Sequence, residues 1–137
     1  AVAVHFGSAA GKGTDAQTVL GVEAAIADGV NVINMSFGRR GENPAMDEAL
    51  AKAHKAGIIL VAAAGNDGYN MDATPFTPAC CDNVITVMAY NAPMNMRMYF
   101  SNYGSMCETD AIGYQVDEDS DQLWLRSEYK GLLHSDI

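Results

Sequence analysis

Residues 57–66 read Gly57-Ile58-Ile59-Leu60-Val61-Ala62-Ala63-Ala64-Gly65-Asn66, and this stretch decides the fold. Its apolar run, residues 58–61, is rich in β-branched side chains and lies between glycines, as expected of a parallel strand buried on both faces. The strand then narrows to alanine, and small residues at its end allow another group to approach the backbone. Ligands of open α/β sheets bind at this end of the strands, so Asn66 would offer an amide N–H donor to a developing oxyanion. Alternatively, Asn66 only turns the chain, because Asn-Asp-Gly is a strong turn signal.

Helices and strands alternate on both sides of this stretch. A capping-box pattern at Thr14, Thr-x-x-Gln, predicts a helix to about Asp28, and Gly29 ends it. A second helix is predicted to begin at Asn43-Pro44 and to end at Gly57. The predicted strands are residues 1–6, 30–36, 58–61 and 84–87. This alternation predicts right-handed βαβ units, and therefore an α/β fold with a parallel sheet and flanking helices.

The apolar residues of both helices recur at helical spacing, which predicts the faces that are buried. In the first helix they are Val19, Leu20, Val22, Ala25 and Ile26. In the second they are Ala45, Leu50, Ala53 and Ala56, with His54 on the solvated side. Met94, Met96 and Met98 alternate with polar residues on a further predicted strand. Such a row could bind copper, but packing in the core is the favoured interpretation.

Length and composition limit the classes of protein to consider. The 137 residues correspond to one domain, with 49% apolar and 18% charged residues. The net charge of −9 argues against binding to nucleic acid, because no basic stripe is present. No stretch is long enough for a membrane span, and no N-terminal signal pattern is found. The chain opens on Ala1-Val2-Ala3-Val4 as if in mid-strand, so the compartment stays open.

Several residues that often carry chemistry receive a structural interpretation. Cys80, Cys81 and Cys107 include an adjacent pair and no C-x-x-C motif, which argues against a disulfide framework and a zinc site. The odd number favours reduced thiols, or one bridge from Cys107 to one of the pair. The loop at 7–14 departs from the phosphate-loop pattern at two positions, which argues against a nucleotide site. His5, a lone histidine at a strand end, is interpreted as structural.

The character of the chain changes after Gly104. Six acidic residues lie at positions 108–121, and no lysine or arginine occurs there before Arg126. This pattern favours a solvated or partly disordered segment over a pair of catalytic carboxylates or a calcium loop, since the EF-hand spacing is missing. The sequence therefore divides into an α/β core at 1–104 and an acidic C-terminal segment at 105–137.

Five blocks of sequence follow one another at consistent spacing. They are residues 32–38, 61–66, 77–79, 84–87 and 100–104. Together they resemble the central part of the subtilisin-like serine proteases, the subtilases, over residues 1 to about 104. Each block alone is a weak signal, and the order of all five makes the resemblance specific. It implies the three-layer α/β sandwich of that family, here incomplete.

The resemblance implies a role for each matching residue. Asn66 matches the asparagine of the oxyanion hole, whose side-chain amide stabilises the tetrahedral intermediate, and this favours catalysis over a simple turn. Ser36, Phe37 and Gly38 match the strand edge that pairs with an extended substrate, and Gly11, Lys12 and Gly13 match the opposite wall of that groove. Ala63, Ala64 and Gly65 match one side of the main specificity pocket. Thr77-Pro78, where the family often has a cis bond, lies near its base.

The departures from the family pattern concern the catalytic triad. The motifs of the catalytic Asp and His would precede these blocks, and the Gly-Thr-Ser motif of the serine would follow Gly104; none occurs in this sequence. Asp15 and His5 do not match such motifs. Met88 stands where a glycine is usual, and residues 111–113 echo the family's Ala-Pro-Gly with Ile112 in place of proline. The 137-residue chain alone is therefore predicted to be inactive.

Three functions remain open at this point. The chain is part of a subtilisin-like serine endopeptidase that acts on a peptide or protein, with the triad supplied by the remainder of the fold. Alternatively, it is a non-catalytic subtilase relative, a structural or binding subunit whose bare apolar faces require another protein chain. The third is a small-molecule α/β binding domain. The resemblance also implies a secretory or extracellular location and is compatible with calcium, although no cofactor is predicted and no calcium site is identified.

Overall fold

The structure, a computed structural model, describes residues 12–91 and 94–107 together with the backbone of residues 109–112, 115–116 and 123–124. The predictions for the strand at 1–6, for His5 and for Gly11 lie outside the described residues. So do the side chains of the acidic segment beyond residue 107.

Helices and strands alternate over the first half of the described chain. The elements are α1 (Asp15–Ala27), β1 (Val32–Met35), β2 (Arg39–Arg40), α2 (Pro44–Lys55), β3 (Ile59–Ala63), β4 (Phe76–Thr77), β5 (Val84–Asn91), β6 (Met96–Arg97), β7 (Thr109–Ile112), β8 (Gln115–Val116) and β9 (Leu123–Trp124). The fold is α/β, as the sequence predicts.

The start of α1 follows from local chemistry. The Thr14 hydroxyl accepts a hydrogen bond from the Gln17 N–H at 3.2 Å, and the Gln17 side chain accepts one from the Thr14 N–H at 2.8 Å. This is the predicted capping box, and it satisfies backbone donors that the first turn leaves without partners. The helix ends before Gly29, whose φ of +67° suits a residue without a side chain.

The second helix also starts where the sequence predicts, and Leu50 and Ala53 lie on its buried face as predicted. The Asn43 side chain accepts a hydrogen bond from the Met46 N–H at 3.2 Å, and Pro44 follows at the first helical position. The buried residues of α2 are Met46, Ala49, Leu50 and Ala53. Ala45 and Ala56 are exposed, so their predicted place on the inner face is wrong. The stripe runs through positions i, i+3, i+4 and i+7 from Met46, which turns Ala45 and Ala56 toward solvent.

The apolar residues of α1 divide in the same way. Val22 and Ala25 are buried, whereas Leu20, which the sequence places on the inner face, is 62% exposed. Both helices belong to one core together with the adjoining face of the sheet, which contributes Met35, Leu60 and Ala62 among others.

The centre of the sheet is parallel. β3 lies between β1 and β5, and the register aligns Asn34 with Val61 and Val61 with Ile85. β7 extends the sheet as a parallel partner of β5, and β6 pairs with the end of β5 in antiparallel orientation. The sheet is therefore mixed but mainly parallel.

One face of the sheet packs against the two helices, whereas the other is partly exposed. Ile33, Leu60 and Val84 share the face that packs against the helices. On the other face, Val32 and Ile59 lie side by side and are 52% and 40% exposed. In the part of the chain that the structure describes, an apolar strip of the sheet thus faces outward.

The methionine row does not form a core strand. Met94 and Met96 are 66% and 53% exposed, whereas Met98 is buried. The prediction of core packing is therefore confirmed for Met98 and wrong for the other two. β6 is a short strand that pairs only with the end of β5, so its hairpin extends past the core that would have covered Met96.

All three cysteines are free thiols in the described structure. Burial raises the pKa of the Cys107 thiol to about 11, and it raises the pKa values of Cys80 and Cys81 as well. The side chains are thus protonated at neutral pH, and of the two alternatives left by the sequence the structure has the reduced one.

Leu50 tests this account of the core, because it is fully buried between helix and sheet. Leu50→Ala is expected to lower the free energy of unfolding by about 2–5 kcal/mol, through lost burial and the cavity left behind. Leu20→Ala, the same change at an exposed helical position, is expected to change it by less than about 0.5 kcal/mol. Urea unfolding of both variants measures the difference, and equal losses would contradict this placement of the core.

Candidate active site

Two segments predicted to carry function, residues 36–38 and 63–66, lie next to each other at the carboxyl ends of the parallel strands. The register aligns Met35 of β1 with Ala62 of β3. Because the strands are parallel, residues 36–38 and 63–66 leave the sheet at the same edge. Asn66 is exposed there, on a bend that begins at Gly65. The structure thus brings together segments that are separated by 25 residues or more in the chain.

The bend that carries Asn66 is held by the buried side chain of Asn102. The Asn102 Oδ1 accepts hydrogen bonds from the N–H groups of Asp67 at 3.0 Å and Tyr69 at 3.4 Å. Its Nδ2 donates to the Ala64 carbonyl at 2.8 Å, and its backbone N–H donates to the Gly65 carbonyl at 2.9 Å. One buried amide therefore fixes the backbone on both sides of Asn66.

Gly65 is required by this arrangement. Its φ is +98°, and a Cβ there would lie 2.5 Å from the Nδ2 of Asn102. A side chain at this position would strain the backbone and push Asn102 away from the Ala64 carbonyl. The small residues at the end of β3 predicted that another group would pack closely against the backbone there. In this structure that group is the side chain of Asn102.

A groove of about 310 Å³ opens beside residues 37 and 38. It is lined by Lys12, Gly13, Asp15, Thr18, Phe37, Gly38, Arg39, Asn43, Met46, Thr77 and Pro78. Lys12 and Gly13 thus face the same groove as Phe37 and Gly38, which is the pairing of walls that the resemblance implies. The polar rim of the groove contains an ion pair, in which the Arg39 Nε donates to Asp15 Oδ1 at 2.7 Å. These hydrogen bonds lower the pKa of the Asp15 carboxyl and raise the pKa of Arg39.

Phe76 and Thr77 form the base between the two segments. β4 pairs with β2 in antiparallel orientation, and the Thr77 hydroxyl donates to the Gly41 carbonyl at 2.7 Å. The Thr77–Pro78 bond is cis, as the resemblance leads one to expect. Phe76 is buried with its ring against Gly38 and Gly65.

Met88, which stands at a position where a glycine is usual, is half-buried and packs against the core.

Sequence reasoning missed two residues, Asn102 and Phe76. The sequence shows Asn102 only as part of the block at 100–104, because its burial and its partners at residues 64–69 appear only in the folded chain. Phe76 gave no signal, because its neighbours come from residues 38 and 65, far away in the chain.

Within the described residues, the candidate site contains no histidine and no cluster of metal-binding side chains. His54 lies at the end of α2, just before β3 begins, and thus at the edge of the sheet opposite to Asn66. No group of three or more His, Cys, Asp or Glu side chains that could hold a metal ion occurs in the described part. No helix of that part is long and apolar enough to cross a membrane.

Comparisons with known proteins identify the family of the chain. The model of the subtilase family matches residues 1–131. Subtilisin DY of Bacillus licheniformis is 39% identical over 115 residues, which are 83% of this chain and 42% of the relative. The minor extracellular protease Vpr of Bacillus subtilis is 34% identical over 111 residues, 80% of this chain and 13% of the relative.

Solved structures give the same result. A cold-adapted subtilisin-like serine proteinase is similar with a TM-score of 0.72 and 31% identity, over 82% of this chain and 40% of that one. A lanthipeptide protease is similar with a TM-score of 0.73 and 25% identity, over 84% of this chain and 38% of that one.

The chain spans less than half the length of each of these relatives. Its ordered blocks, its mainly parallel sheet and the match over residues 1–131 lead to one conclusion. The chain belongs to the subtilase family of serine proteases.

Proposed function

We propose that this chain is the central segment of a subtilisin-like serine endopeptidase, which cleaves peptide bonds through an acyl-enzyme. Its own contribution is the oxyanion donor Asn66 and the walls of the substrate groove, while other segments supply the catalytic Asp, His and Ser. The observation that carries the proposal is the position of Asn66. Asn66 is exposed just after the carboxyl end of β3, beside residues 36–38. Hydrogen bonds from Asn102 hold the backbone on both sides of it.

Asn66 would act when the serine attacks the substrate carbonyl. The carbonyl oxygen then becomes negatively charged, and the Asn66 side-chain N–H would donate a hydrogen bond to it. A donor that is already in place stabilises this charge more than it stabilises the neutral substrate, so it lowers the barrier. The backbone around Asn66 needs no rearrangement for this, because the carbonyls of Ala64 and Gly65 and the N–H of Asp67 already have Asn102 as their partner.

The groove would hold the substrate in an extended form. Ser36, Phe37 and Gly38 continue from β1, and this segment would pair with the substrate backbone as an added strand. Gly13 and Lys12 would lie on the other side, with Gly11 next to them in sequence. Ala63, Ala64 and Gly65 would border the pocket for the side chain that precedes the scissile bond.

The exposed strip of Val32 and Ile59 supports a partner for this chain. In the endopeptidase this partner is the remainder of the protease fold, which would cover the strip. The same strip also supports the second candidate, a non-catalytic subtilase acting as a structural or binding subunit, in which another protein would cover it. The preserved Asn66 favours the endopeptidase, since a structural subunit has no use for an oxyanion donor. The extracellular protease among the relatives supports a secreted location.

Labelling with a fluorophosphonate tests the proposal on the native protein that contains this chain. The expected result is a labelled serine on a segment that is contiguous with this chain or co-purifies with it. The 137-residue chain alone is expected to remain unlabelled and to leave peptide substrates intact, because it lacks the triad. A native protein that carries an intact chain and a stable partner but no labelled serine would instead identify the non-catalytic subunit.

Removing the proposed donor gives the first kinetic prediction. Asn66→Ala in the complete protease is expected to lower kcat by about 10²–10³ with little change in KM, the effect known for such a donor in subtilisin, a member of this family. Single-turnover acylation measures the step itself. Asp67→Ala, a change at the neighbouring exposed residue, is the control, and an equal loss in both variants would argue against a specific role of Asn66.

Asn102 gives the second kinetic prediction, because it would act through Asn66. Asn102→Asp keeps the acceptor for Asp67 and Tyr69 but places a carboxylate oxygen near the Ala64 carbonyl, in place of a donor. The loss of about 1–3 kcal/mol corresponds to a fall in kcat of about 5- to 150-fold. In the Asn66→Ala background the same change is expected to have little effect, because the donor that it displaces is already gone. Losses that multiply in the double variant would show that Asn102 does not act through Asn66.

A further inference from the structure

The ring of Phe76 lies between the two glycines that face each other across the candidate site. A Cβ added to Gly38 would lie 2.2 Å from Cε1 of the ring and 2.8 Å from Cζ. A Cβ added to Gly65 would lie 2.9 Å from Cζ and 3.0 Å from Cε1. The same two ring atoms therefore touch both glycines, and the ring fills the space between them.

These glycines stand on the two segments that leave the sheet side by side. Gly38 follows β1 and Gly65 follows β3, so the space between them is the entrance for any side chain that would reach between the segments. Only 7% of Phe76 is exposed, so neighbouring atoms enclose the ring almost completely.

We propose that Phe76 closes the specificity pocket, so that the protease accepts only a small residue, glycine, alanine or serine, immediately before the scissile bond. This inference rests on the proposed function and adds the class of substrate to it. Phe76 is then a residue that determines specificity, since its ring occupies the volume that a larger substrate side chain would need. A leucine or phenylalanine side chain could enter only by displacing the ring.

The surroundings of the ring hold it in this position. The Phe76 N–H donates to the Cys80 Sγ at 3.2 Å, and its carbonyl accepts from the Cys80 N–H at 2.9 Å. The Tyr69 ring packs edge-on against Phe76 with 6.5 Å between the ring centres. β4 is paired with β2, so the backbone of Phe76 is fixed as well. Displacing the ring would disturb packing on several sides, and a side chain in a close-packed site has little freedom to move.

The test is the cleavage profile of the complete protease on peptides that differ only in the residue before the scissile bond. The wild type is expected to cleave after alanine with a kcat/KM about 100-fold above that for phenylalanine. Phe76→Ala is expected to raise the ratio of phenylalanine to alanine cleavage by a similar factor, because the emptied volume accepts an aromatic ring. The matched control is Tyr99→Ala, which removes an aromatic side chain that is 84% exposed, and its ratio is expected to stay that of the wild type.

Fluorophosphonate titration of active sites accompanies each profile and separates the outcomes. A wild type that is labelled but cleaves after phenylalanine as readily as after alanine would overturn the inference and leave the proposed function intact. A wild type that is neither labelled nor cleaves any peptide would refute the proposed function, and the inference with it. Should Phe76→Ala fail to fold, Phe76→Leu replaces it: its smaller side chain is expected to shift the ratio toward larger residues, and an unchanged ratio in the labelled enzyme would overturn the inference.

Discussion

The hydrogen bonds of one buried amide, that of Asn102, determine the shape of the candidate site. A buried side-chain amide without partners would cost about 1–3 kcal/mol, so the chain must bring partners to it. Here they all come from the loop that follows β3, at Ala64, Asp67 and Tyr69. The amide is satisfied only when that loop is bent as observed, and the bend is what exposes Asn66. Stability of the fold and position of the proposed catalytic donor are therefore coupled through the same hydrogen bonds.

The site requires glycine at positions 38 and 65 because other side chains pack directly against the backbone there, and not because the chain must be flexible. Gly65 has no side chain because Asn102 and Phe76 both lie against it, and Gly38 has none because Phe76 lies against it on the other side. The site is thus a stack of glycine, aromatic ring and glycine, next to a groove that stays open. In the proposed enzyme these two parts would have different roles. The pocket filled by Phe76 would exclude large side chains. The open groove, with the Asp15–Arg39 ion pair at its rim, would contact the substrate at a greater distance from the scissile bond.

The sequence predicted those features whose causes lie within a few residues. The helix starts at Thr14 and Asn43 depend on side chains that bond to the backbone three residues away, so their pattern is readable in the chain itself. The α/β class and the position of Asn66 after a buried strand could be predicted for the same reason. Asn102 and Phe76 could not, because the residues that contact them lie elsewhere in the sequence and are brought to them only by the folding of the chain. The exposed position of Met96 was missed for a related reason, since alternation identifies a strand but not what covers it.

The three cysteine thiols, one buried and two half-buried, have a consequence for the chemistry of the folded chain. Oxidation and disulfide exchange proceed through the thiolate, and the raised pKa values of Cys80, Cys81 and Cys107 keep the thiolate scarce at neutral pH. The thiols of the folded chain are therefore expected to react slowly with oxidants, although none of them is protected in a disulfide. The unfolded chain has no such protection, because its thiols regain an ordinary pKa and two of them are adjacent. In an oxidising compartment the cysteines would thus react more readily in the unfolded chain than in the folded one.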